Sequence, residues 1–416
     1  MINVAVIGYG VVGSGVAEVI RTNSMSITAR AGEEIRVKKI LDIRDFTDAP
    51  DQELLTKNPD DIFLDEEISV VVETIGGARI AYEYTKKALQ LGKHVVTSNK
   101  ELVATHGPEL LKMANEHGVS YLFEASVGGG IPIIRPLNQC LAANEIIGIT
   151  GILNGTTNYI LTQMRKEGMD FGDALKGAQK NGYAEADPTA DIEGHDACRK
   201  IAILSSIAYN QYVDYKNIHT EGITRISLQD MQYAEAMGYA IKLIGMSKRI
   251  NDKIYARVSP ALVNKANPLS GVEDVFNAIL VRGNAIGDAM FYGRGAGKLP
   301  TASAVVADII DIVRHIDSGN GSVWPIPETN NMIEFTEGEN RYLVRIQVRN
   351  AEEARKLVKS VFGDVSEVKP LQQGLQDEIA VVTSKMSEEE LQKRMEKIRG
   401  TGSVKEIVNT IRILED

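Results

Sequence analysis

A short apolar strand, Val4-Ala5-Val6-Ile7, runs directly into Gly8-Tyr9-Gly10-Val11-Val12-Gly13 and from there into a helical stripe of Val12, Val16, Val19 and Ile20. Strand, glycine turn and helix in that order restrict the fold more than any other stretch. Each glycine answers a separate steric need: Gly8 a tight turn, Gly10 the approach of backbone to a pyrophosphate, Gly13 close packing of the helix on the strand. The helix N-terminus adds N–H groups and positive potential. Gly8, Gly10, Val11, Val12 and Gly13 are therefore candidate contacts for a dinucleotide, and the sheet around them is expected to be parallel.

The remaining apolar runs supply that sheet. Strands are predicted over 4–7, 37–43, 69–74, 94–97 and 120–124, alternating with helical periods such as Ala81, Tyr84, Ala88 and Leu91. A third helix is predicted to start near Pro108, where a missing N–H costs little. The expected fold is α/β: a Rossmann-type doubly wound parallel sheet over 1–134, completed by 301–318, whose apolar helix over 302–316 returns to it. A second α+β domain, for substrate and dimerisation, is expected over 135–300, with strands over 146–153 and 255–260. Ser318-Gly319-Asn320-Gly321-Ser322 and Trp324-Pro325-Ile326-Pro327 mark a linker over 319–339.

Strict alternation then sets in, with Tyr342, Val344, Ile346 and Val348 on one face and Leu343, Arg345, Gln347 and Arg349 on the other. A helix with Ala354, Leu357, Val358 and Val361 inward follows. Strands near Val365 and over 378–383 come next, then a helix capped by Ser387 and Glu390, with Leu391, Met395 and Ile398 as its stripe, and a strand over 407–414. The pattern over 340–416 is a C-terminal ferredoxin-like βαββαβ domain.

Charge narrows the partners. A formal net charge of -10 argues against a nucleic-acid groove or an anionic membrane surface, both of which want a basic face. No run approaches the ~18 apolar residues of a membrane helix. Two cysteines imply no disulfide framework, and Met1 leads into a strand with neither a basic region nor a cleavage site. The expectation is a cytoplasmic protein acting on small molecules.

Four stretches carry chemistry. Leu41-Asp42-Ile43-Arg44 bears on the choice of dinucleotide, since a carboxylate accepts from a ribose 2'-hydroxyl whereas a guanidinium pairs with a 2'-phosphate. With both Asp42 and Arg44 present, NAD and NADP stay open. Thr97-Ser98-Asn99-Lys100 puts a lysine at the carboxyl edge of the sheet, within reach of a nicotinamide-bound reactant. Glu124-Ala125-Ser126-Val127-Gly128-Gly129-Gly130-Ile131 has the freedom to hinge, or to curl carbonyls round a monovalent cation. Between 182 and 200, three or four carboxylates and Lys200 lie in a loop that feeds a helix, with Asp196 and Lys200 one turn apart on one face. Such a cluster suits a small cationic substrate and a proton transfer.

Together with Gly151-Ile152-Leu153-Asn154-Gly155-Thr156-Thr157-Asn158-Tyr159-Ile160 and Gly293-Arg294-Gly295-Ala296-Gly297, these motifs resemble homoserine dehydrogenase over nearly the whole chain. The resemblance implies interconversion of L-homoserine and L-aspartate 4-semialdehyde with NADP or NAD, in the synthesis of threonine, methionine and isoleucine. It implies Lys200 and Lys100 as catalytic residues, and Glu185, Asp196, Asp191, Gly155 and Thr156 as substrate contacts. Arg44, Thr74, Asn99, Lys100 and Gly297 join the cofactor contacts, and a sodium ion is implied at the carbonyls of Glu124, Val127, Gly129 and Ile131. A homodimer or homotetramer is implied as well.

The last unit resembles an ACT domain, which implies an amino-acid effector such as threonine. The turn after its first strand reads Arg349-Asn350-Ala351-Glu352-Glu353-Ala354, in place of an Asp-x-x-Gly-like turn. Intact Lys100, Asp196 and Lys200 speak against a non-catalytic nucleotide- and amino-acid-responsive protein. Charge and size alone leave open a dehydrogenase of a related amino-acid semialdehyde.

Overall fold

Valine and isoleucine dominate the strands at the N-terminal end of the chain because each is covered on both faces and needs no polar side. The computed structural model describes residues 1–317, 322–370 and 377–415, in two units. The first comprises Met1–Ile147, Arg199–Tyr215 and Val281–Asn330; the second comprises Gly148–Cys198, Lys216–Leu280 and Asn331–Asp416.

In the first unit β1 (Ile2–Ile7), β2 (Ile35–Leu41), β3 (Leu55–Thr56), β4 (Ile68–Glu73), β5 (His94–Thr97) and β6 (Tyr121–Leu122) form one sheet in the order β3-β2-β1-β4-β5-β6. Every pairing is parallel. The order reverses direction between β1 and β4, so the crevice for a ligand opens at their carboxyl ends. Val4, Val6, Val70, Val72 and Val96 are buried with Val16 and Ile20 of helix Val11–Thr22 and with Ala302, Val305, Ile309 and Ile312 of helix Lys298–Arg314. Each such valine or isoleucine side chain contributes about 1.5–3 kcal/mol.

The helix expected from Pro108 instead spans Lys100–Glu116, because a cap lies further upstream. Asn99 starts it, its side chain accepting from Glu101 N and Leu102 N at 3.1 Å each. Pro108 sits inside and has no N–H for the carbonyl of Ala104. The Tyr212 hydroxyl replaces that donor, at 3.0 Å from Ala104 O. Leu91, expected in a buried stripe, lies beyond the end of helix Arg79–Gln90 and is exposed. Of the predicted linker, residues 319–321 lie outside the described residues. Trp324, a little further on, is buried, meets Phe123 edge-on with ring centroids 5.5 Å apart, and packs on Gly107.

The second unit is built on a mixed sheet. Its strands are β7 (Ile146–Ile152), β8 (His219–Thr220), β9 (Tyr239–Ile250), β10 (Lys253–Asn264) and β11 (Phe276–Gly283). β12 (Gly287–Arg294) falls in the first unit, and the second continues with β13 (Glu339–Val348), β14 (Val365–Val368), β15 (Glu378–Thr383), β16 (Met386–Ser387) and β17 (Val404–Ile413). From β11 the order runs β11-β7-β9-β10-β17-β13-β15-β14. Strands β9 and β10 form a long antiparallel hairpin. The far edge of β10 pairs in parallel with β8 at Arg257 and Val258, and with β17 at Ala261 and Leu262.

The last four long strands, with helices Ala351–Phe362 and Glu388–Ile398, have the ferredoxin-like order. Tyr342, Val344, Ile346 and Val348 face those helices. The opposite face is buried too, for Leu343 is fully enclosed and Arg345 is paired with Asp230 at 2.6 Å and Glu378 at 2.8 Å.

Replacing Tyr212 with Phe leaves the Ala104 carbonyl without its substitute donor. A loss of about 1 kcal/mol is expected, read as a lower denaturant midpoint with an unchanged slope.

Candidate active site

The glycine turn is held by contacts that no side chain tolerates. Gly8 has φ of 98°, and a Cβ there would lie 2.9 Å from Thr74 O. A Cβ on Gly13 would lie 1.9 Å from Gly8 O. The Thr74 hydroxyl donates to Gly8 O at 2.8 Å, so this residue fastens the turn. Gly10 differs. A Cβ there would meet only the Arg44 guanidinium, at 3.8 Å, so the glycine leaves open the space above the first turn of helix Val11–Thr22. Val11, the first helical residue, exposes its apolar side chain to that space, while Val12 is half-buried. Gly10 as N-cap brings no side chain to the first N–H groups, in contrast to Asn99. The donor set fits a phosphate.

At the end of β2 the Asp42 carboxylate is fully engaged. Its Oδ2 accepts from Tyr9 N at 2.7 Å and Arg44 Nη2 at 2.8 Å. Its Oδ1 accepts from Arg44 N at 2.9 Å and Arg44 Nε at 3.0 Å. These Arg44 contacts hold the carboxyl at about 2, against the opposing effect of burial. Arg44 lies over the Phe46 ring, 5.1 Å from its centroid, and its side chain stays 58% exposed. The guanidinium, then, is the group presented to solvent.

The carboxyl ends of β4 and β5 are cross-braced. Asn99 N donates to Thr97 Oγ1 at 2.9 Å, and Asn99 Nδ2 donates to Ile75 O at 3.2 Å and Gly77 O at 2.8 Å. Lys100 follows as the half-buried first residue of its helix. Across the same unit, Gly129 has φ of 57°, and a Cβ there would lie 2.3 Å from Gly295 O. Gly297 starts helix Lys298–Arg314 with φ of 125°. The Glu124 carboxylate accepts from Ile133 N, Ile134 N and Arg135 N at 2.6–2.7 Å, so both its oxygens are engaged by the backbone that follows. Val127 and Ile131 are buried beside it.

In the second unit one amide organises the acidic turn. Asn154 Nδ2 donates to Asp191 Oδ1 at 2.7 Å and to Asp196 Oδ2 at 2.9 Å. Its Oδ1 accepts from Thr157 N at 2.8 Å and so caps helix Gly155–Glu167. Two carboxylates five residues apart are thereby brought to one donor. Thr156 Oγ1 donates to Tyr183 O at 2.5 Å, tying the start of the acidic loop to helix Gly155–Glu167. Glu185 stands exposed in this loop, and His195, the first residue of the following helix, is exposed as well. Helix His195–Ala208 carries Asp196 and Lys200, both buried. Asn154 was not among the residues singled out from sequence, although it lies in the quoted stretch; an asparagine just before a helical Gly-Thr-Thr was the available sign of a cap.

Known proteins match this chain closely. Residues 8–124 match the family model for the NAD-binding domain of homoserine dehydrogenase, and residues 132–310 match the model for homoserine dehydrogenase. The homoserine dehydrogenase of Neisseria gonorrhoeae is 37% identical over 427 residues, which span 99% of this chain and 98% of that protein. The crystal structure of a homoserine dehydrogenase from Thiobacillus denitrificans superposes with a TM-score of 0.89 at 37% identity, covering 100% of this chain and 98% of its own. A hyperthermophilic archaeal homoserine dehydrogenase in complex with NADPH gives 0.64 at 30% identity, over 74% of this chain and 97% of its own.

The glycines separate two effects experimentally. Gly13→Ala forces overlap with Gly8 O and is expected to cost about 1–3 kcal/mol or more, seen as a lower melting temperature. Gly10→Ala has room in the free protein, so melting is expected to stay unchanged while calorimetric affinity for the nicotinamide dinucleotide falls by about tenfold, or about 1.4 kcal/mol.

Proposed function

The chain belongs to the homoserine dehydrogenase family, and from that premise we propose how its residues share the reaction. The enzyme interconverts L-homoserine and L-aspartate 4-semialdehyde, with a nicotinamide dinucleotide accepting or supplying the hydride at C4 of its ring.

The observation that carries the reading is the pairing of Asp191 and Asp196 on the Asn154 amide. Held together, these carboxylates offer the substrate ammonium two charged acceptors, and Glu185 adds a third in the same turn. Gly155 and Thr156 shape the loop beneath them. Lys200, one helical turn beyond Asp196, is the group we assign to the proton: as the alcohol is oxidised, its amine takes the proton of the 4-hydroxyl and later returns it. Lys100, at the start of its helix by the carboxyl end of β5, serves the nicotinamide side.

The dinucleotide is read as NADP. Both oxygens of Asp42 are spent on Tyr9 and Arg44, whereas the Arg44 guanidinium is exposed and suited to a 2'-phosphate. The related hyperthermophilic archaeal enzyme has a solved structure in complex with NADPH. Gly8, Gly10, Val11, Val12 and Gly13 face the pyrophosphate in this reading, with Thr74, Asn99 and Gly297 around the rest. A sodium ion at the carbonyls of Glu124, Val127, Gly129 and Ile131 belongs to it too, since hard main-chain oxygens suit such an ion.

Exposed Ile286, Met290 and Tyr292, in and beside β12, support a subunit contact and hence a homodimer or homotetramer. The C-terminal unit is read as ACT-like. At its first helix the N–H groups of Glu352 and Glu353 already bond to the Asn350 side chain, so threonine meets a start that is occupied. Two free cysteines, and no membrane-length helix among the described residues, fit a cytoplasmic enzyme.

Lys200→Ala is expected to lower turnover by about 10²–10⁴, and initial rates followed at the nicotinamide absorbance decide it; near-normal turnover refutes the assignment. Arg44→Ala is expected to raise the KM for NADP by about 10–100-fold, the loss of a charged hydrogen bond, with little change for NAD. An equal effect on both dinucleotides removes the NADP reading.

A further inference from the structure

Glu73, the last residue of β4, is a fully buried carboxyl group at the edge of the sheet where the nicotinamide is read to lie, and none of the roles above uses it. Its Oε2 accepts from the Thr97 hydroxyl at 2.6 Å and its Oε1 accepts from Ile75 N at 2.6 Å. Thr97 Oγ1 in turn accepts Asn99 N, and Asn99 Nδ2 returns to Ile75 O, so the bonds close a ring through both loops. Asn99 completes the path by capping the helix that Lys100 begins.

We infer that Glu73 is a positioning residue for the hydride transfer, setting the loops after β4 and β5, and with them Lys100, through Thr97, Ile75 and Asn99. It rests on the reading of this edge as the nicotinamide end and of Lys100 as part of the machinery.

The ring depends on ionisation. As a carboxylate, Glu73 is an acceptor at both oxygens, which the Thr97 hydroxyl and the Ile75 N–H satisfy. Once protonated, it acts as a donor on one side and competes with Asn99 N–H for Thr97 Oγ1. The hydroxyl of Thr97 then turns away, and the brace on Asn99 loosens. Burial raises the Glu73 carboxyl to about 7, against the lowering effect of Thr97, Ile75 and Asn99, so this change falls near neutrality. The titratable side chain facing it is Tyr121 of β6, a phenol that burial holds neutral. Neither Thr97 of β5, Ile7 of β1 nor Asn99 brings a charge. The brace is therefore tight above the transition and slack below it.

The experiment measures kcat and KM for homoserine and dinucleotide between about pH 5.5 and 9 in the wild type, Glu73→Gln, Glu73→Asp and Thr97→Val, with Lys100→Ala in parallel and melting temperature as a check on folding. Gln is held in the uncharged form, so Glu73→Gln is expected to lower kcat by about tenfold at pH 8 and to remove the inflection near neutrality, with the KM for homoserine little changed. Glu73→Asp restores an ionisable group and is expected to bring back an inflection at a shifted pH. Thr97→Val breaks the ring from the other side, so it repeats the loss in kcat and decides the matter if Glu73→Gln does not fold. A wild-type pH profile and kcat in a folded Glu73→Gln or Thr97→Val enzyme overturns the inference while Lys100→Ala is impaired. Full activity in Lys100→Ala overturns the earlier assignment of that lysine and the path through it.

Discussion

Everything at the dinucleotide end follows from how closely three stretches of backbone approach one another. Gly13 lies over the Gly8 carbonyl, Gly8 lies against Thr74, and the Thr74 hydroxyl draws the Gly8 carbonyl in. Helix Val11–Thr22 thus starts directly above the crevice between β1 and β4. The same approach lets helix Lys298–Arg314, almost 300 residues later, pack on that helix through Gly15 and Ala302. A single methyl group at position 8 or 13 would push the helix N-terminus off the line on which its N–H groups converge.

Much of this is legible in the sequence because its signals are local. Glycine spacing, valine-rich strands and period-two alternation each need only neighbouring residues, and the first unit and the ferredoxin-like pattern were read from them. What resisted reading was non-local. Pro108 looks like a helix start until Tyr212, more than a hundred residues away, supplies a donor to Ala104. Arg345 alternates like a surface residue, yet Asp230 and Glu378 cover it. Asp42 looks free to bind a ribose, but it is occupied by a neighbour two residues on and by the glycine turn itself.

The acidic turn illustrates the same limit in its chemistry. Sequence collected the carboxylates and Lys200, but like charges repel, and nothing in their spacing tells what holds them side by side. The Asn154 amide does so while serving as a helix cap, so one side chain fixes both the start of the helix and the spacing of the two carboxylates. In the first unit Glu73 and Asn99 join two loops in a comparable way. In each unit the group doing the holding is an uncharged or buried side chain beside the residues that attract attention.

One consequence follows from the way β10 is bordered. Its outer rim is covered first by two residues of β8 and then by two of β17. The chain from Glu339 onward is thus stitched into the same sheet as the hairpin it borders. A protein clipped ahead of Glu339 would leave part of that rim with unsatisfied amides and carbonyls, a template for any passing strand. Trimming this protein for crystallisation or expression therefore trades a removable-looking module for a self-adhesive seam.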